Sequence, residues 1–250
     1  MKVLIIIPAY NEAQSLKRVM EQLKSTCPQY DYVIVNDGST DQTKEICEKN
    51  QYHVIHHPVN QGLKKAVQTG MQYAMEHHYD MALQFDADGQ HLPEYIEDMV
   101  NCMTKTNCDI VIGSRFYKSK MPFRMRTLGG KMITAAIRMT TGKHLTDPTS
   151  GMRLYRRNMI RLFVKNDDFA PEPDTIAYLI RMGAEVREVK VKMEDRMAGQ
   201  SYLTPVNATK YMIRILSSIL IGQWSWKIRR VRKNTEKTES VGQTEMNKTA

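Results

Sequence analysis

The stretch Asp80-Met81-Ala82-Leu83-Gln84-Phe85-Asp86-Ala87-Asp88-Gly89-Gln90-His91 joins a short apolar run to a cluster of oxygen-bearing side chains. The run from Met81 to Phe85 predicts a buried strand, and Asp86, Asp88 and Gln90 follow at two-residue spacing on one side of an extended turn. Carboxylate and amide oxygens at a strand end suit Mg²⁺ or Mn²⁺ with open positions for phosphate. A solvated Asp-Gly turn is the alternative, so this stretch alone leaves both interpretations open.

The composition favours one cytosolic domain with an anionic partner. The 250 residues, 42% of them hydrophobic and 25% charged, suffice for one full-sized core and a small appendage. Met1-Lys2 leads directly into strand-like residues, which predicts a chain without a signal peptide. The net charge of +9 indicates nucleic acid, phosphorylated substrates or an acidic membrane surface as the partner. The cysteines form no C-x-x-C pair, so we expect reduced thiols at Cys27, Cys47, Cys102 and Cys108.

Strand-like and helix-like segments alternate along the chain, which predicts an α/β fold with a mainly parallel sheet covered by helices on both faces. The predicted strands are Val3–Ile7, ended by Pro8, then Tyr32–Val35, His53–His56, Met81–Phe85, Asp109–Ile112 and Glu185–Val191. The predicted helices begin at Ser15 and at Thr40 or Asp41, and span Leu63–Met75, Pro93–Met103, Leu128–Met139 and Thr175–Met182. Ligands bind such sheets beyond the carboxyl ends of the strands. These ends carry Glu12, Asp37, Asp86, Asp88 and Arg115.

Four short motifs in this order and spacing resemble family 2 glycosyltransferases of the GT-A fold. They are Pro8-Ala9-Tyr10-Asn11-Glu12, Asn36-Asp37-Gly38-Ser39-Thr40-Asp41, Asn60-Gln61-Gly62 and Asp86-Ala87-Asp88-Gly89-Gln90-His91. The last motif, together with Arg196-Met197-Ala198-Gly199-Gln200-Ser201, resembles the branch of dolichyl-phosphate mannosyltransferases and bacterial polyprenyl-phosphate glycosyltransferases. The match covers roughly residues 3 to 203, and four motifs in register are more specific than any one of them.

The resemblance implies a pocket for the nucleoside of a sugar donor. Glu12 and Asp37 can accept hydrogen bonds from a base or ribose, and Pro8 and Tyr10 offer a flat apolar wall. The alternative is that Asp37 caps a turn and Glu12 a helix. The same donor site is expected to include Val35, Ala87 and Lys64. Lys64 and its neighbour Lys65 can neutralise a diphosphate, although exposed helix lysines are usually only solvated.

The resemblance also implies the residues that act on the diphosphate. Asp88 is expected to bind the bridging Mg²⁺ or Mn²⁺, while Asp86 contacts the sugar or nucleotide side and Gln90 completes the metal shell. Arg115 is expected to place positive charge near the acceptor phosphate or the sugar, unless it is a plain surface arginine. Arg196 and Ser201 are expected to close over the diphosphate, unless their loop is only a flexible surface turn. Asp88, Arg115 and Arg196 are the predicted catalytic residues.

Residues 116 to 157 are basic and rich in methionine, and the periodicity from Leu128 to Met139 predicts an amphipathic helix where an acceptor would enter. Asp147 is expected to orient its loop rather than react. A phosphate acceptor is already anionic, so it needs no general base. A hydroxyl acceptor needs one, and Glu172 or Asp174 can serve, so a transferase acting on hydroxyl groups stays open.

The C-terminal stretch predicts contact with a membrane surface. The apolar run from Tyr211 to Trp226 is interrupted by Arg214 and followed by a basic cluster, and it is shorter than the roughly 20 residues that span a bilayer. We expect an interfacial helix on anionic lipid, and the alternative is a helix packed on the core or a partner subunit. This divides the chain into a GT-A domain at 1–204, an amphipathic basic helix at 205–233 and a disordered tail at 234–250.

Together these features predict an inverting glycosyltransferase that moves a sugar from a UDP- or GDP-linked donor to a polyprenyl phosphate for envelope glycan synthesis. It is expected in the cytoplasm, peripherally bound to the inner face of the membrane, with a membrane-embedded partner or a second copy as possible partners. One alternative adds a sugar to a hydroxyl of an envelope glycan, and another is an inactive GT-A scaffold. Nucleic acid is not expected, because no basic face interleaved with aromatic residues is evident.

Overall fold

Seven strands and eight α-helices are present in the residues that the computed structural model describes, which are 1–117, 125–195 and 205–222. The strands are β1 (Val3–Ala9), β2 (Asp31–Asn36), β3 (Val54–His56), β4 (Met81–Gln84), β5 (Ile110–Ser114), β6 (Arg153–Arg156) and β7 (Val186–Lys190). The helices are α1 (Leu16–Thr26), α2 (Thr43–Lys49), α3 (Leu63–Glu76), α4 (Ile96–Thr106), α5 (Met125–Thr141), α6 (Arg157–Lys165), α7 (Pro173–Arg181) and α8 (Pro205–Ser217). A 3₁₀ turn at Pro93–Tyr95 precedes α4, and a π-helical turn at Ser218–Gly222 follows α8.

The strands form one sheet in the order β3-β2-β1-β4-β6-β5-β7. All neighbours pair in parallel except β6, which runs antiparallel to both β4 and β5. The prediction of a mainly parallel sheet is confirmed. Strand β6 and helix α6 were not predicted, because β6 is only four residues long and begins and ends with arginine.

The prediction that Pro8 ends the first strand was wrong, since β1 continues to Ala9. The carbonyl of Ile6 accepts from Phe85 and that of Ala9 from Asp37, so alternate residues of β1 face β4 and β2. By this alternation Pro8 faces β4, whose pairing with β1 has already ended at Gln84 opposite Ile6. The missing N–H of proline therefore costs no ladder hydrogen bond at this position.

Helix α2 begins two or three residues later than predicted, at Thr43 rather than at Asp41 or Thr40. The Asp41 carboxylate accepts a hydrogen bond from the Thr43 amide at 2.9 Å, so Asp41 lies in the turn before the helix. This short bond to the backbone is the reason that aspartate favours turns over helix interiors.

Both faces of the sheet are covered, as predicted. Alternate residues of β1 point to opposite faces. On one face Ile5 and Ile7 pack against α1 and α4, and on the other face Leu4 and Ile6 pack against α3. Helices α5, α6, α7 and α8 lie on the same face as α3. The strand ends that carry the predicted site residues therefore emerge between two well-packed layers.

The described part of the C-terminal stretch packs on this core. Ile215 and Ile219 are fully buried, and Arg214 of α8 forms an ion pair with Glu172 at 2.7 Å. Side chains on the outer face, Ile213, Leu220 and Ile221, are exposed. Within the described ranges, no helix is both long enough and apolar enough to cross a bilayer. The predicted tryptophan anchors, the basic cluster and the tail at 234–250 lie outside the described residues.

Candidate active site

The acidic turn follows β4 at the carboxyl edge of the parallel strands. Asp86 is 32% exposed in its side chain, whereas Asp88 is only 3% exposed. The Asp88 carboxylate accepts a hydrogen bond from the Gln90 amide at 3.0 Å, and Gly89 adopts a positive φ of 80° that closes the turn. One carboxylate is thus open to a ligand and the other is fixed inside the turn.

Three neighbours hold Asp86. Gln84 Nε2 donates to Asp86 Oδ1 at 3.1 Å, and the Asp86 amide donates to His91 Nδ1 at 2.9 Å. The backbone of Gly151 passes so close that a Cβ there would lie 2.8 Å from Asp86 Oδ2. Sequence reasoning gave Gln84 and His91 no role, although both lie inside the motif. Gln84 and His91 contact Asp86 only because the turn folds back on the strand, and the residue types alone do not predict that fold.

Gln90 connects this turn to the segment after β7. The Glu194 amide donates to the Gln90 carbonyl at 3.0 Å, Gln90 Nε2 donates to the Glu194 carbonyl at 3.4 Å, and His91 pairs with Met193. The side-chain amide of Gln90 uses its nitrogen here, which leaves the oxygen as the atom to bind a metal. Arg196 and Ser201 lie outside the described residues, but the chain that leads to them starts beside the acidic turn.

The side-chain oxygen atoms of the acidic turn fit a divalent cation whose remaining ligands are phosphate oxygens. Nowhere in the three described ranges do three His, Cys, Asp or Glu side chains gather as a closed metal site. Two carboxylates and an amide oxygen remain, and Mg²⁺ is typically held by one or two carboxylates together with substrate phosphates. Asp86, Asp88 and Gln90 therefore fit a metal that binds with its substrate rather than a resident structural ion.

Asp37 organises the loop beside β2. Its carboxylate accepts from His57 Nδ1 at 2.7 Å, from the Gln61 amide at 3.0 Å and from the Gly62 amide at 2.7 Å. The turn is tightly packed, since a Cβ on Gly38 would lie 2.4 Å from the Val59 backbone. Asp37 thus shapes the Asn60-Gln61-Gly62 motif that was predicted beside it, and His57 is a partner that sequence reasoning missed.

The first motif is fixed to the second through the loops that follow β1 and β2. The Glu12 amide donates to Thr43 Oγ1 at 2.9 Å, and the Thr40 amide donates to Asn11 Oδ1 at 2.8 Å. The Glu12 carboxylate accepts from the Ser15 hydroxyl at 2.7 Å, at the start of α1. Glu12 and Asp37 therefore occupy neighbouring strand ends, as predicted.

The other residues that were predicted to contact the nucleotide-sugar donor differ in exposure. Tyr10 is exposed beside the motif, whereas Pro8, Val35 and Ala87 are buried. The burial of Val35 and Ala87 means that contact with a donor at these positions would come from the backbone.

The two predicted lysines also differ. Lys65 forms an ion pair with Asp167 at 3.3 Å, so its charge is already engaged. Across the described part of the chain, no carboxylate lies within ion-pair distance of Lys64, which is half-buried. Lys64 is the better of the two for a diphosphate.

Arg115 is bound to the loop that follows α5. Its Nε and Nη2 donate to the two oxygens of Asp147 at 2.7 and 2.9 Å, and Nη2 also reaches Thr149 Oγ1 at 3.3 Å. These hydrogen bonds raise the pKa of Arg115 above its usual value. Asp147 is buried and holds Arg115, a contact that was not predicted, and its carboxylate also accepts a hydrogen bond from the Thr149 hydroxyl in its own loop.

Glu188 of β7 supports Asp147 from behind. Its carboxylate accepts from the Thr146 amide at 2.8 Å and from the Asp147 amide at 2.9 Å. The Ser114 hydroxyl contacts the Thr146 hydroxyl at 2.6 Å. Sequence reasoning missed Glu188, because an acidic residue in a short strand gives no signal of a partner about forty residues away.

A mainly parallel sheet with Asp37, Asp86 and Asp88 at its carboxyl edge has polar residues where open α/β sheets bind their ligands. Residues 4–163 match the family described as glycosyl transferase family 2, and the chain belongs to this family. It is a glycosyltransferase.

Two similar proteins act on lipid phosphates by name. The undecaprenyl-phosphate mannosyltransferase of Micrococcus luteus is 28% identical over 246 residues, covering 90% of this chain and 96% of that protein. The polyprenol monophosphomannose synthase of Mycolicibacterium smegmatis is 27% identical over 228 residues, covering 86% of this chain and 85% of that protein.

A solved structure confirms the fold. Glucosyl-3-phosphoglycerate synthase of Mycobacterium tuberculosis, crystallised with Mg²⁺ and UDP, superposes with a TM-score of 0.64 at 19% identity, covering 88% of this chain and 78% of that one. The same enzyme has also been solved with Mn²⁺, UDP and phosphoglyceric acid. At 19% identity, this similarity supports the fold and nothing further.

Proposed function

We propose that this chain transfers one sugar from a UDP- or GDP-linked donor to a polyprenyl phosphate, with inversion at the anomeric carbon. A phosphate oxygen of the acceptor attacks the anomeric carbon, the bond from that carbon to the diphosphate breaks, and the nucleoside diphosphate leaves. Mg²⁺ or Mn²⁺ supplies Lewis-acid stabilisation of the leaving diphosphate. The names of the relatives and the oxygen donors of Asp86, Asp88 and Gln90 support this reaction.

The engagement of both candidate general bases is the observation that carries the choice of acceptor. Glu172 accepts two hydrogen bonds from Arg214 Nη2 and has its charge compensated. Asp174 accepts from the Ser218 hydroxyl at 2.7 Å and from the Thr175 amide at 3.0 Å. A base must be within reach of the hydroxyl proton it removes. Two carboxylates at the start of α7, one bound by α8 and the other by the turn after α8, favour an acceptor that needs no deprotonation.

The surface beside Arg115 suits an acceptor with an anionic head and an apolar chain. A groove of about 610 Å³ is lined by apolar groups of Phe116, Ala135 and Met139 and carries the basic side chains Lys131 and Arg138. Apolar residues are also exposed elsewhere on α5 and on the α8 region, at Met132, Ile213, Leu220 and Ile221. Apolar side chains bordered by basic ones are typical of protein surfaces that rest on anionic lipid. We infer that this side faces the cytoplasmic leaflet.

A transfer assay tests the proposal. The purified chain is incubated with radiolabelled UDP- and GDP-sugars, Mg²⁺ or Mn²⁺ and a short-chain polyprenyl phosphate, and the products are extracted into organic solvent. Label in the lipid phase that mild acid releases supports the phosphate acceptor. Label found only in glycan supports transfer to a hydroxyl. No transfer from any donor, with or without membranes, supports the inactive scaffold.

The variant Glu172→Gln separates the two acceptors further. We expect turnover to fall less than about tenfold, whereas loss of a general base costs about 10²–10⁴-fold. The change keeps the size of the side chain and one acceptor oxygen for Arg214. The matched change Asp174→Asn is also expected to lower turnover less than about tenfold. A hundredfold loss in either variant, with an unchanged melting temperature, would point to a hydroxyl acceptor.

A further inference from the structure

A buried polar cluster lies beneath the acidic turn, on the face of the sheet covered by α3 and α8. Gln84 of β4 and Arg153 of β6 are directly opposite each other in the antiparallel pair, so their side chains lie on the same face. Tyr155 follows two residues later and shares that face. Gln84 and Arg153 are each 1% exposed, and Tyr155 is fully buried. Polar groups at such depth are normally hydrogen-bonded.

Each of these three side chains has one buried polar atom without a hydrogen-bond partner. The atoms are Gln84 Oε1, Arg153 Nη1 and the Tyr155 hydroxyl. Burial raises the pKa of Tyr155, and the nearby Arg153 guanidinium offsets part of that effect, so these two side chains lie close together. Arg153 uses its other nitrogens, since Nε donates to the Ser150 carbonyl and Nη2 to the Pro148 carbonyl, both at 2.8 Å. A donor, an acceptor and a hydroxyl group that can do both are the set a buried water requires.

Arg153 reaches Asp86 by two routes. The first runs through Gln84, whose Nε2 donates to Asp86 Oδ1 at 3.1 Å. The second runs through the loop that Arg153 holds by the Pro148 and Ser150 carbonyls, because the next residue, Gly151, lies against Asp86 Oδ2. The amide of Gln84 must present Nε2 to the carboxylate, so its oxygen points away from Asp86 and needs a donor.

We propose that an ordered water joins Arg153 Nη1, Gln84 Oε1 and the Tyr155 hydroxyl, and that Arg153 and Gln84 act as positioning residues for Asp86. In this arrangement a buried positive charge polarises the amide that holds the carboxylate, and hydrogen bonds in such a chain strengthen one another. Gln84 then keeps Asp86 Oδ1 fixed, and the part of the Asp86 carboxylate that is exposed remains accessible to the metal and the donor. This inference rests on the proposed function, because it assigns Asp86 to the metal-diphosphate group.

The decisive variant is Gln84→Met, which removes the amide and keeps the length of the side chain. Gln68→Met is its matched control. Gln68 also has a buried Oε1 without a partner, but its Nε2 donates to the Asp167 and Phe169 carbonyls instead of to Asp86. Mn²⁺ binding is measured by electron paramagnetic resonance in the presence of UDP or GDP, whichever binds the unmutated protein more tightly. The melting temperature of each variant is recorded.

We expect Gln84→Met to weaken Mn²⁺ binding about tenfold or more, as is usual when a residue that supports a metal ligand is lost. Gln68→Met is expected to lower the melting temperature and to leave Mn²⁺ binding unchanged. Unchanged Mn²⁺ affinity in Gln84→Met overturns the inference. Failure of the unmutated protein to bind Mn²⁺ with either nucleotide would instead overturn the proposed metal site, so the two failures are distinguishable.

A crystal structure of the unmutated protein at high resolution tests the water itself. Density within hydrogen-bond distance of Arg153 Nη1 and Gln84 Oε1 supports it, and direct contact between those two atoms overturns it. Arg153→Lys keeps the charge but lacks the planar guanidinium whose donors point in fixed directions, so we expect weaker Mn²⁺ binding there too. If that variant does not fold, Gln84→Met still decides the positioning role.

Discussion

The donor edge and the acceptor side of this protein are built in different ways. At the donor edge, Asp37 and Asp88 are held by backbone amides of their own loops or of the adjacent loop. On the acceptor side, the fixing contacts join distant segments: Arg115 and Asp147 are 32 residues apart, and Glu172 and Arg214 are 42 apart. Both regions expose apolar side chains: Tyr10, Val59 and Leu63 at the donor edge, and Met132, Met139, Ile213, Leu220 and Ile221 on the acceptor side. The donor edge also depends on contacts between distant segments, since Gln90 bonds to Glu194. The difference is that backbone amides hold the donor-edge carboxylates, whereas arginine side chains hold those of the acceptor side.

The largest effect is expected at the donor edge, from Asp88→Asn. The amide keeps the shape of the side chain but removes the charge that a divalent cation needs, so turnover is expected to fall about a hundredfold to a thousandfold. The matched control is Asp98→Asn on the exposed side of α4. Turnover is measured by the lipid-extraction assay, and the melting temperature shows whether the fold is intact. Full turnover in Asp88→Asn would contradict the proposal that Asp88 binds a metal that the reaction needs.

The acceptor side is tested next, by Arg115→Met. This change leaves the buried Asp147 carboxylate without its cation. We expect the free energy of unfolding, measured in urea, to fall by about 2 kcal/mol. The double variant with Asp147→Asn is expected to recover part of that stability without recovering turnover. Recovery of both would show that Arg115 serves only to neutralise Asp147. An exposed arginine changed in the same way, Arg161→Met, is the control.

The exposed apolar residues of the two regions give a third test, by Ile213→Glu on α8. Ile213 is 64% exposed, so the change should leave the core intact. If this side rests on a membrane, binding to anionic liposomes is expected to fall about tenfold, because apolar contact is lost and a negative charge is added. Val59→Glu is the matched control, since Val59 is 63% exposed beside the donor edge. Equal loss in both variants, measured by co-sedimentation, would contradict the assignment of the membrane side.

The smallest effect concerns Asp41, which fixes the loops of the donor edge. Burial works against the charged form, but hydrogen bonds from the Thr43 hydroxyl and amide lower the pKa of Asp41 below its usual 3.8. A lowered pKa in the folded state stabilises the protein above the usual value, and this contribution is lost as the pH falls through the folded-state value. Asp41→Asn is expected to cost about 1 kcal/mol at pH 7.

The pH dependence of that cost is the check. In urea unfolding, the difference in free energy of unfolding between Asp41→Asn and the unmutated protein is expected to shrink as the pH falls from about 5 to about 3. Over this range the aspartate becomes protonated, near and below its usual pKa. The exposed Asp168→Asn serves as the control. A difference that stays constant over this range would show that the carboxylate charge does not stabilise the turn.

Sequence reasoning performed well where a structure depends on neighbouring residues. The strands before Asp37 and Asp86 were predicted within a residue or two, because apolar runs and turn residues are local signals. It failed at β6, where the sequence Arg153-Leu154-Tyr155-Arg156 has a charged residue on a buried face. A buried arginine becomes acceptable only when carbonyls from a folded loop receive its hydrogen bonds, and no local pattern reports that.

The sequence by itself determined the alternating α/β fold, the family and the acidic turn, since each follows from periodicity or from a short motif. Only the tertiary structure decided that β6 runs antiparallel between β4 and β5, that Glu172 and Asp174 are engaged by the α8 region, and that Gln84 and Arg153 lie together under Asp86. The reason is physical. Contacts between segments tens of residues apart depend on the register of a whole sheet, whereas a turn depends only on the few residues that form it.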